Sequence, residues 1–304
     1  MESNNGRAPE GLVEASGVAA QAFPTGALYV VATPIGNAAD ITVRAWWVLS
    51  HVDAIAAEDT RTTRALLERY GISAKLIAAH EHNERAAAQR IVERLRAGER
   101  IALVTDAGTP AISDPGARIV RAVLDAGLRV VPIPGASSFT AAASAAGIEA
   151  GEVRFIGFLP AGANKRLARL RAIAADAAAC VLFEAPHRVA DTARELAAVL
   201  DPQRRVVVAR ELTKKFETIV ALSARDLPAW IERHEPRGEY AIVIDAARIE
   251  SGGAPAAELD ETTRRWLAAL AEALPAARAA AVAAKATGLP RELLYHELTA
   301  LRGE

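Results

Sequence analysis

The stretch Val104-Thr-Asp-Ala-Gly-Thr-Pro-Ala-Ile-Ser-Asp-Pro-Gly116 decides how the rest of the chain is read. It follows an apolar strand pattern, Ile101-Ala-Leu-Val104, and breaks at once into small residues, two prolines and two aspartates. Gly108, Pro110, Pro115 and Gly116 can neither continue a strand nor open a helix interior, so they force an irregular loop. Such a loop belongs where strands of an open α/β sheet end and ligands bind. A second loop of the same kind, Pro134-Gly-Ala-Ser-Ser138, follows the next strand, Arg129-Val-Val-Pro-Ile133. Two polar, backbone-rich loops on successive strand ends point to one ligand lying across both.

Upstream, Ala27-Leu-Tyr-Val-Val-Ala32 reads as a buried strand that ends in the loop Thr33-Pro-Ile-Gly-Asn37. A helix capped by Asp40 or Thr42 leads to a second strand over 52–57, then to Glu58-Asp-Thr-Arg61 and a helix through Leu67 that stops near Gly71. A short strand over 76–79, the segment His80-Glu-His-Asn-Glu84 and a helix over 85–96 complete the first unit. Strands alternating with helices at this spacing predict a mainly parallel sheet with right-handed crossovers. Downstream, strands are expected over 155–159, 179–183, 205–209 and 240–244, with helices over about 165–176, 189–199 and 224–233. Glu250-Ser-Gly-Gly-Ala-Pro255 has the composition of a linker. Three helices follow, over about 262–274, 276–287 and 291–301, with Gly288 as a C-cap and Pro290 near the start of the last. The expected organisation is a flexible tail over 1–26, α/β domains over 27–134 and 135–249, and a helix-turn-helix-like tail over 257–304.

With 304 residues, half of them apolar, the chain is long enough for two cores. Its net charge of −1 excludes a globally basic nucleic-acid coat protein but not a local basic groove. A lone cysteine, Cys180, allows no disulfide framework, which fits a reducing compartment. No run approaches the ~18 apolar residues of a membrane span, and the first 26 residues have no secretory signal pattern. The expectation is a cytoplasmic protein that does not engage a membrane.

Neither a G-x-G-x-x-G after the first strand nor a G-x-x-x-x-G-K-S/T is present, so the usual dinucleotide and P-loop grips are excluded. The strand-end loops carry Pro, Gly, Ser, Thr and Asp instead, which suits a neutral or cationic adenosine-type ligand. Ordinary turn chemistry is the alternative for any one loop taken alone. Asp59 or Thr60 reads either as a cap for the next helix or as a reactive group, while Arg61 and Arg64 stand one turn apart and suit a phosphate. His80 and His82 share one side of an extended segment, but a zinc site needs further ligands and no partner cluster is visible, so no metal is expected. Phe183-Glu-Ala-Pro-His-Arg188 and Arg210-Glu-Leu-Thr-Lys-Lys-Phe-Glu217 again place charged turns after strands. The closing helices read equally as a three-helix cap or a nucleic-acid module.

In this order, Leu28–Asn37, Ala57–Arg61, His80–Glu84, Thr105–Gly116, Pro134–Ser138, Phe183–Arg188 and Glu211–Lys214 resemble the small-subunit ribosomal RNA methyltransferase I family of the tetrapyrrole methylase superfamily, over about residues 27 to 301. The resemblance implies two α/β domains of the tetrapyrrole methylase type with S-adenosylmethionine in the cleft between them, plus a small C-terminal helical domain. It further implies 2′-O-methylation of a cytidine in the decoding region of 16S ribosomal RNA, within the small ribosomal subunit, by a homodimer. Carried over, the donor site takes Pro34, Asp106, Gly108, Thr109 and Ile112, then Gly135, Ser137 and Ser138, with Glu184 and Leu212 from the second domain. Thr109 stands where cobalamin-pathway relatives carry an acid.

A ribose hydroxyl attacking a sulfonium methyl needs a base within hydrogen-bond reach. The candidates are Glu58, Asp59 and His82, with Lys214 to stabilise the developing oxyanion and Arg61, Arg64, Asn83, His187 and Arg188 to hold RNA. A regular RNA helix would hide the sugar edge, so a single-stranded or distorted site is expected. Two other readings share parts of this pattern. A tetrapyrrole C-methyltransferase has the same fold and donor, yet the charged loops at 58–61, 80–84 and 184–188 ill suit a large apolar macrocycle. A non-catalytic nucleic-acid regulator would leave the loops at 33–37, 105–116 and 134–138 without a purpose.

Overall fold

The structure is a computed structural model that describes residues 10–234, 237–247 and 261–302. The chain divides into two compact units, Met1–Ala247 and Arg248–Glu304. The first holds two five-stranded sheets.

The first sheet contains β1 (Ala27–Val31), β2 (Ala54–Ala57), β3 (Leu76–Ala78), β4 (Ile101–Val104) and β5 (Arg129–Ile133). Its order is β3-β2-β4-β1-β5 and every pairing is parallel, as the alternation of strands and helices predicts. Helices α1 (Glu10–Ser16), α2 (Val43–His51), α3 (Thr60–Arg69), α4 (Glu84–Arg96) and α5 (Ala117–Asp125) accompany it. Tyr29 and Val31 pack with Val48, Leu49 and Leu67 from α2 and α3, whereas Leu28 packs with Ile91, Leu95, Ile119 and Val123 from α4 and α5. Cover on both faces is why these strands read as unbroken apolar runs. Thr42 caps α2 through Ala45 N, resolving the choice between Asp40 and Thr42.

The second sheet contains β6 (Val153–Phe158), β7 (Ala179–Glu184), β8 (Arg205–Arg210), β9 (Thr218–Ser223) and β10 (Tyr240–Ile244), in the order β6-β7-β10-β8-β9. Helices α6 (Ser138–Ala145), α7 (Ala163–Ala174), α8 (Val189–Val199) and α9 (Leu227–Glu232) belong to it. This sheet is mixed, unlike the first. Only β6 and β7 run parallel; β10 enters between β7 and β8 antiparallel to both, and β8 and β9 form a hairpin. The sequence reading assigned no strand to 218–223. β9 is an edge strand whose Val220 and Leu222 reach the core while Ile219 stays exposed, so its pattern is weak.

Within the expected tail, residues 1–9 lie outside the described residues. The remainder is structured: α1 precedes a buried Val18, and Phe23 packs 4.8 Å from both Tyr29 and Trp47. The expected linker at 250–255 also lies outside the described residues. The second unit comprises α10 (Glu261–Ala273), α11 (Ala276–Thr287) and α12 (Arg291–Arg302) around Leu267, Ala279, Ala280, Leu294 and Leu298. Gly288 ends α11 in the left-handed conformation, at φ 72°, where glycine carries no Cβ penalty. Among the described residues no helix is long and apolar enough to cross a membrane.

Candidate active site at the strand ends

Because β4, β1 and β5 are neighbours, the loops at 105–116, 33–37 and 134–138 leave one edge of the first sheet. They are fastened to each other. Thr33 and Gly108 exchange backbone hydrogen bonds of 2.9 and 3.0 Å, and Thr33 Oγ1 donates to the Thr105 carbonyl at 3.2 Å. Thr109 Oγ1 donates to the Ala136 carbonyl at 3.0 Å, joining the 105–116 loop to the 134–138 loop. The 105–116 loop holds two non-glycine residues at positive φ, Ala111 (67°) and Ser113 (64°), a strained backbone of the kind concentrated at binding sites. Its far end is pinned by the buried Glu84, whose Oε1 accepts from the backbone N–H groups of Gly116 and Arg118.

The second sheet contributes loops held differently. The Glu184 carboxylate is 1% exposed and fully engaged: it accepts from Ala185 N at 2.9 Å and Thr192 Oγ1 at 2.7 Å. Arg188 Nε stands 3.3 Å from it without hydrogen-bond geometry. After β8, Lys214 Nζ bridges Glu211 (2.8 Å) and Glu239 (3.1 Å), and both Glu211 and Thr213 sit at positive φ. The two sets of loops meet. Thr213 Oγ1 accepts from Asn37 N at 3.1 Å, and a Cβ on Gly36 would lie 2.4 Å from Lys214 Cγ, so only glycine allows this approach.

Between them lies a cavity of about 420 Å³. Glu58, Asp106, Asp114 and Ser138 face it from the first sheet, and Phe183, Leu212, Tyr240, Ala241 and Glu239 from the second. The first side is therefore acidic and the second mainly apolar, with Glu184 and Glu239 as its acids. Burial, reinforced by Asp106, lifts the Glu58 carboxyl above the usual range. Burial also pushes Asp114 up to about 6, with Glu58, Asp106 and Glu239 adding repulsion. Carboxylates crowded in this way are relieved by a cation. Lys214 and Glu211 show the opposite balance. Burial opposes the charge of each, but their mutual hydrogen bond outweighs it, holding Glu211 below and Lys214 above its ordinary value.

Of the residues proposed from sequence for the donor, Asp106, Ser138, Glu184 and Leu212 line the cavity. Pro34 and Gly108 build the stitched loops behind it, and Thr109 is spent on Ala136. Gly135 lies so close to Ala32 that a Cβ would sit 2.9 Å from that methyl group. Ser137 precedes α6 without a capping side-chain bond, and Ile112 is exposed on the outer loop.

Among the candidate bases, Glu58 faces the cavity. Asp59 does not: it caps α3 through Arg61 N at 2.8 Å and pairs with the Arg61 guanidinium at 2.7 Å, which holds its carboxyl at about 2. His82 is exposed, its ring 6.1 Å from that of His80. Lys214 stands behind Glu239 at the rim. Arg61, Arg64 and His187 are exposed, whereas Asn83 Nδ2 is tied to the Ala78 carbonyl and Arg188 Nη2 to those of Leu159 and Pro160. Among the described residues no group of three or more His, Cys, Asp or Glu side chains could hold a metal ion. Sequence reasoning missed Asp114, Phe158, Phe183, Glu239 and Tyr240, all of which line the cavity. Asp114 lay inside the deciding stretch and was legible there as an acid among turn residues.

The tetrapyrrole (corrin/porphyrin) methylase family matches residues 27–228, and the RsmI C-terminal HTH domain matches residues 257–302. The ribosomal RNA small subunit methyltransferase I of Escherichia coli O157:H7 is 45% identical over 89% of this chain and 93% of its own. That of Pseudomonas aeruginosa is 42% identical over 92% of this chain and 99% of its own. Among solved structures, a cobalt precorrin-4 methyltransferase of cobalamin biosynthesis superposes with a TM-score of 0.56 at 21% identity, covering 74% of this chain and 98% of its own. A uroporphyrin-III C-methyltransferase from Thermus thermophilus, complexed with S-adenosyl homocysteine, gives 0.51 at 18% identity, over 72% of this chain and 96% of its own. These two share the fold.

Proposed function

The chain belongs to the ribosomal RNA small subunit methyltransferase I family, within the tetrapyrrole methylases, and from that premise we propose that it methylates the ribose 2′-hydroxyl of a cytidine in the decoding region of 16S ribosomal RNA, with S-adenosylmethionine as donor. The observation that carries the donor assignment is the two-sided cavity. Glu58, Asp106, Asp114 and Glu239 suit a sulfonium and an ammonium, while Phe183, Leu212, Tyr240 and Ala241 suit an adenine ring. Its size, about 420 Å³, falls within the range of small-ligand sites. The bound donor supplies a methyl group activated by positive sulfur. Relatives at 42–45% identity are named for ribosomal RNA, whereas the tetrapyrrole enzymes at 18–21% are linked by fold, which favours RNA over a macrocycle.

The protein's own part is positioning and proton removal. Fixed loops that hold nucleophile and methyl in line avoid an entropic cost of up to about 7–11 kcal/mol. Glu58 accepts the hydroxyl proton, and its raised affinity for protons makes it a better base than Asp59. Lys214 balances charge at the rim, and the exposed Arg61, Arg64 and His187 hold RNA. The C-terminal domain matched over residues 257–302 adds RNA affinity; removing 257–304 is expected to weaken RNA binding and leave donor affinity intact. We assign the working form to a homodimer in the cytoplasm acting on the small ribosomal subunit. The decisive test is mass mapping of 16S RNA after incubation with protein and methyl-labelled donor. Label at a cytidine ribose in the decoding region is expected; RNA without label overturns the proposal.

A further inference from the structure

Phe158 is a large aromatic residue left 54% exposed at the wall of a cavity, and the backbone takes a special path to put it there. In β6, Phe155 pairs with Val181, but the register then shifts so that Gly157 pairs with Leu182 and Phe158 with Phe183. Ile156 is the extra residue of this bulge. Its side chain packs into the core that contains Leu182, on the face of the sheet away from Val181, Phe155 and Phe183. Without the bulge, strict alternation would turn Phe158 to that same hidden face, because a one-residue slip reverses every later side chain. The bulge instead sets Phe158 beside Phe183, ring centroids 5.8 Å apart and edge to face, on the cavity side. Gly157 makes the turn at φ 69°, and a Cβ there would stand 2.7 Å from Ser113 Oγ of the 105–116 loop.

We infer that Phe158 is the platform on which the target nucleobase stacks while its ribose enters the cavity; the inference rests on the RNA-methyltransferase reading above. A flat base satisfies this position. It covers the open ring face and keeps its hydrogen-bonding edge in water, as in other single-strand sites where stacking on an aromatic supplies affinity. The apolar wall formed by Leu212, Ala209 and Ala241 lies with residues that are buried, and so serves the donor's adenine rather than an incoming base. A base stacked on an exposed ring also explains why the side chain of β6 nearest the cavity is not polar.

The test uses the full chain with Phe158→Ala, Phe158→Tyr and Phe158→Trp. Loss of one stack is expected to raise KM for RNA by about 5- to 150-fold in Phe158→Ala, with donor affinity unchanged. Phe158→Tyr and Phe158→Trp restore KM. In Phe158→Trp, indole fluorescence is quenched when RNA binds, and the quench persists at salt concentrations that weaken phosphate contacts. Weakened donor binding in Phe158→Ala without a change in KM for RNA would place the adenine on this ring and overturn the inference, as would an unaltered KM. Wild-type protein that transfers no methyl group to ribosomal RNA sinks the functional reading itself, whereas active wild type with an indifferent Phe158→Ala sinks the platform alone.

Discussion

On the first sheet, the loops after β1, β4 and β5 hold one another through backbone and hydroxyl contacts; on the second, the loops after β7 and β8 are held by the side chains of acids. Thr33–Gly108 and Thr109–Ala136 fasten the first set. Glu184 with Thr192, and Glu211 and Glu239 with Lys214, fasten the second. The consequence is that carboxylates of the same kind differ in availability. Glu58 and Asp114 turn their carboxyls to the cavity, Asp106 does so while also accepting from Asp59 N at 3.1 Å, and Glu58 is raised where Glu211 is lowered. The first frame spends Glu84 on the far end of the 105–116 loop but leaves Glu58 and Asp114 on the cavity.

The strongest challenge to that contrast is a pair of isosteric changes. Glu58→Gln is expected to lower kcat by about 10²–10⁴-fold, the usual loss for a general base, with a thermal midpoint close to wild type. Glu211→Gln turns the charged bond with Lys214 into a weaker one to a neutral amide oxygen and lowers the midpoint, while much of the turnover survives. Single-turnover rates and melting curves on the two variants decide it; equal losses of turnover would erase the distinction between the two walls.

A smaller effect sharpens the electrostatic side. Asp114 in the free protein sits at about 6 because it is buried and surrounded by carboxylates. A cation in the cavity favours its ionised form and lowers that value, so binding near pH 6 releases protons. Donor affinity is therefore constant above the free value and declines below it, approaching about tenfold per pH unit while the bound form remains ionised. Calorimetry at several pH values, in buffers of different ionisation enthalpy, measures both the affinity and the proton release. An affinity flat through this range would mean that the acidic side does not touch the cationic part of the donor.

Much of the first wall was readable in the residues. Strands buried on both faces write themselves as runs such as Ala27–Val31 and Ile101–Val104, and the Gly- and Pro-rich loops that follow have no helical or extended alternative. The second wall was less readable for physical reasons. β9 is half exposed, and the direction of β10 is set by pairing partners distant in sequence. The choice between Glu58 and Asp59 turns on which acid the next helix takes as its cap, and two adjacent acids look alike until α3 is in place. Phe158 was hidden by its bulge, since nothing in Phe155-Ile-Gly-Phe158 announces that Ile156 and not Phe158 is turned away.

The smallest expected effect compares one hydroxyl from each wall. Thr192→Val keeps the shape of a buried side chain but leaves Glu184 Oε2 without the donor that held it at 2.7 Å. A buried carboxylate oxygen stripped of its partner costs about 1–3 kcal/mol, more than a neutral group would. Thr33→Val also removes a buried hydroxyl, which donates to the Thr105 carbonyl at 3.2 Å, but both backbone bonds between Thr33 and Gly108 remain. The acceptor left behind there is a neutral carbonyl and not a carboxylate, so the loss falls at the low end of the same range, about 1 kcal/mol. Chemical denaturation should place Thr192→Val below Thr33→Val by roughly 1 kcal/mol, with unchanged m-values. The reverse order would mean that the hydroxyl, and not the backbone exchange, fastens the first wall, and the two walls would then be held by the same kind of bond.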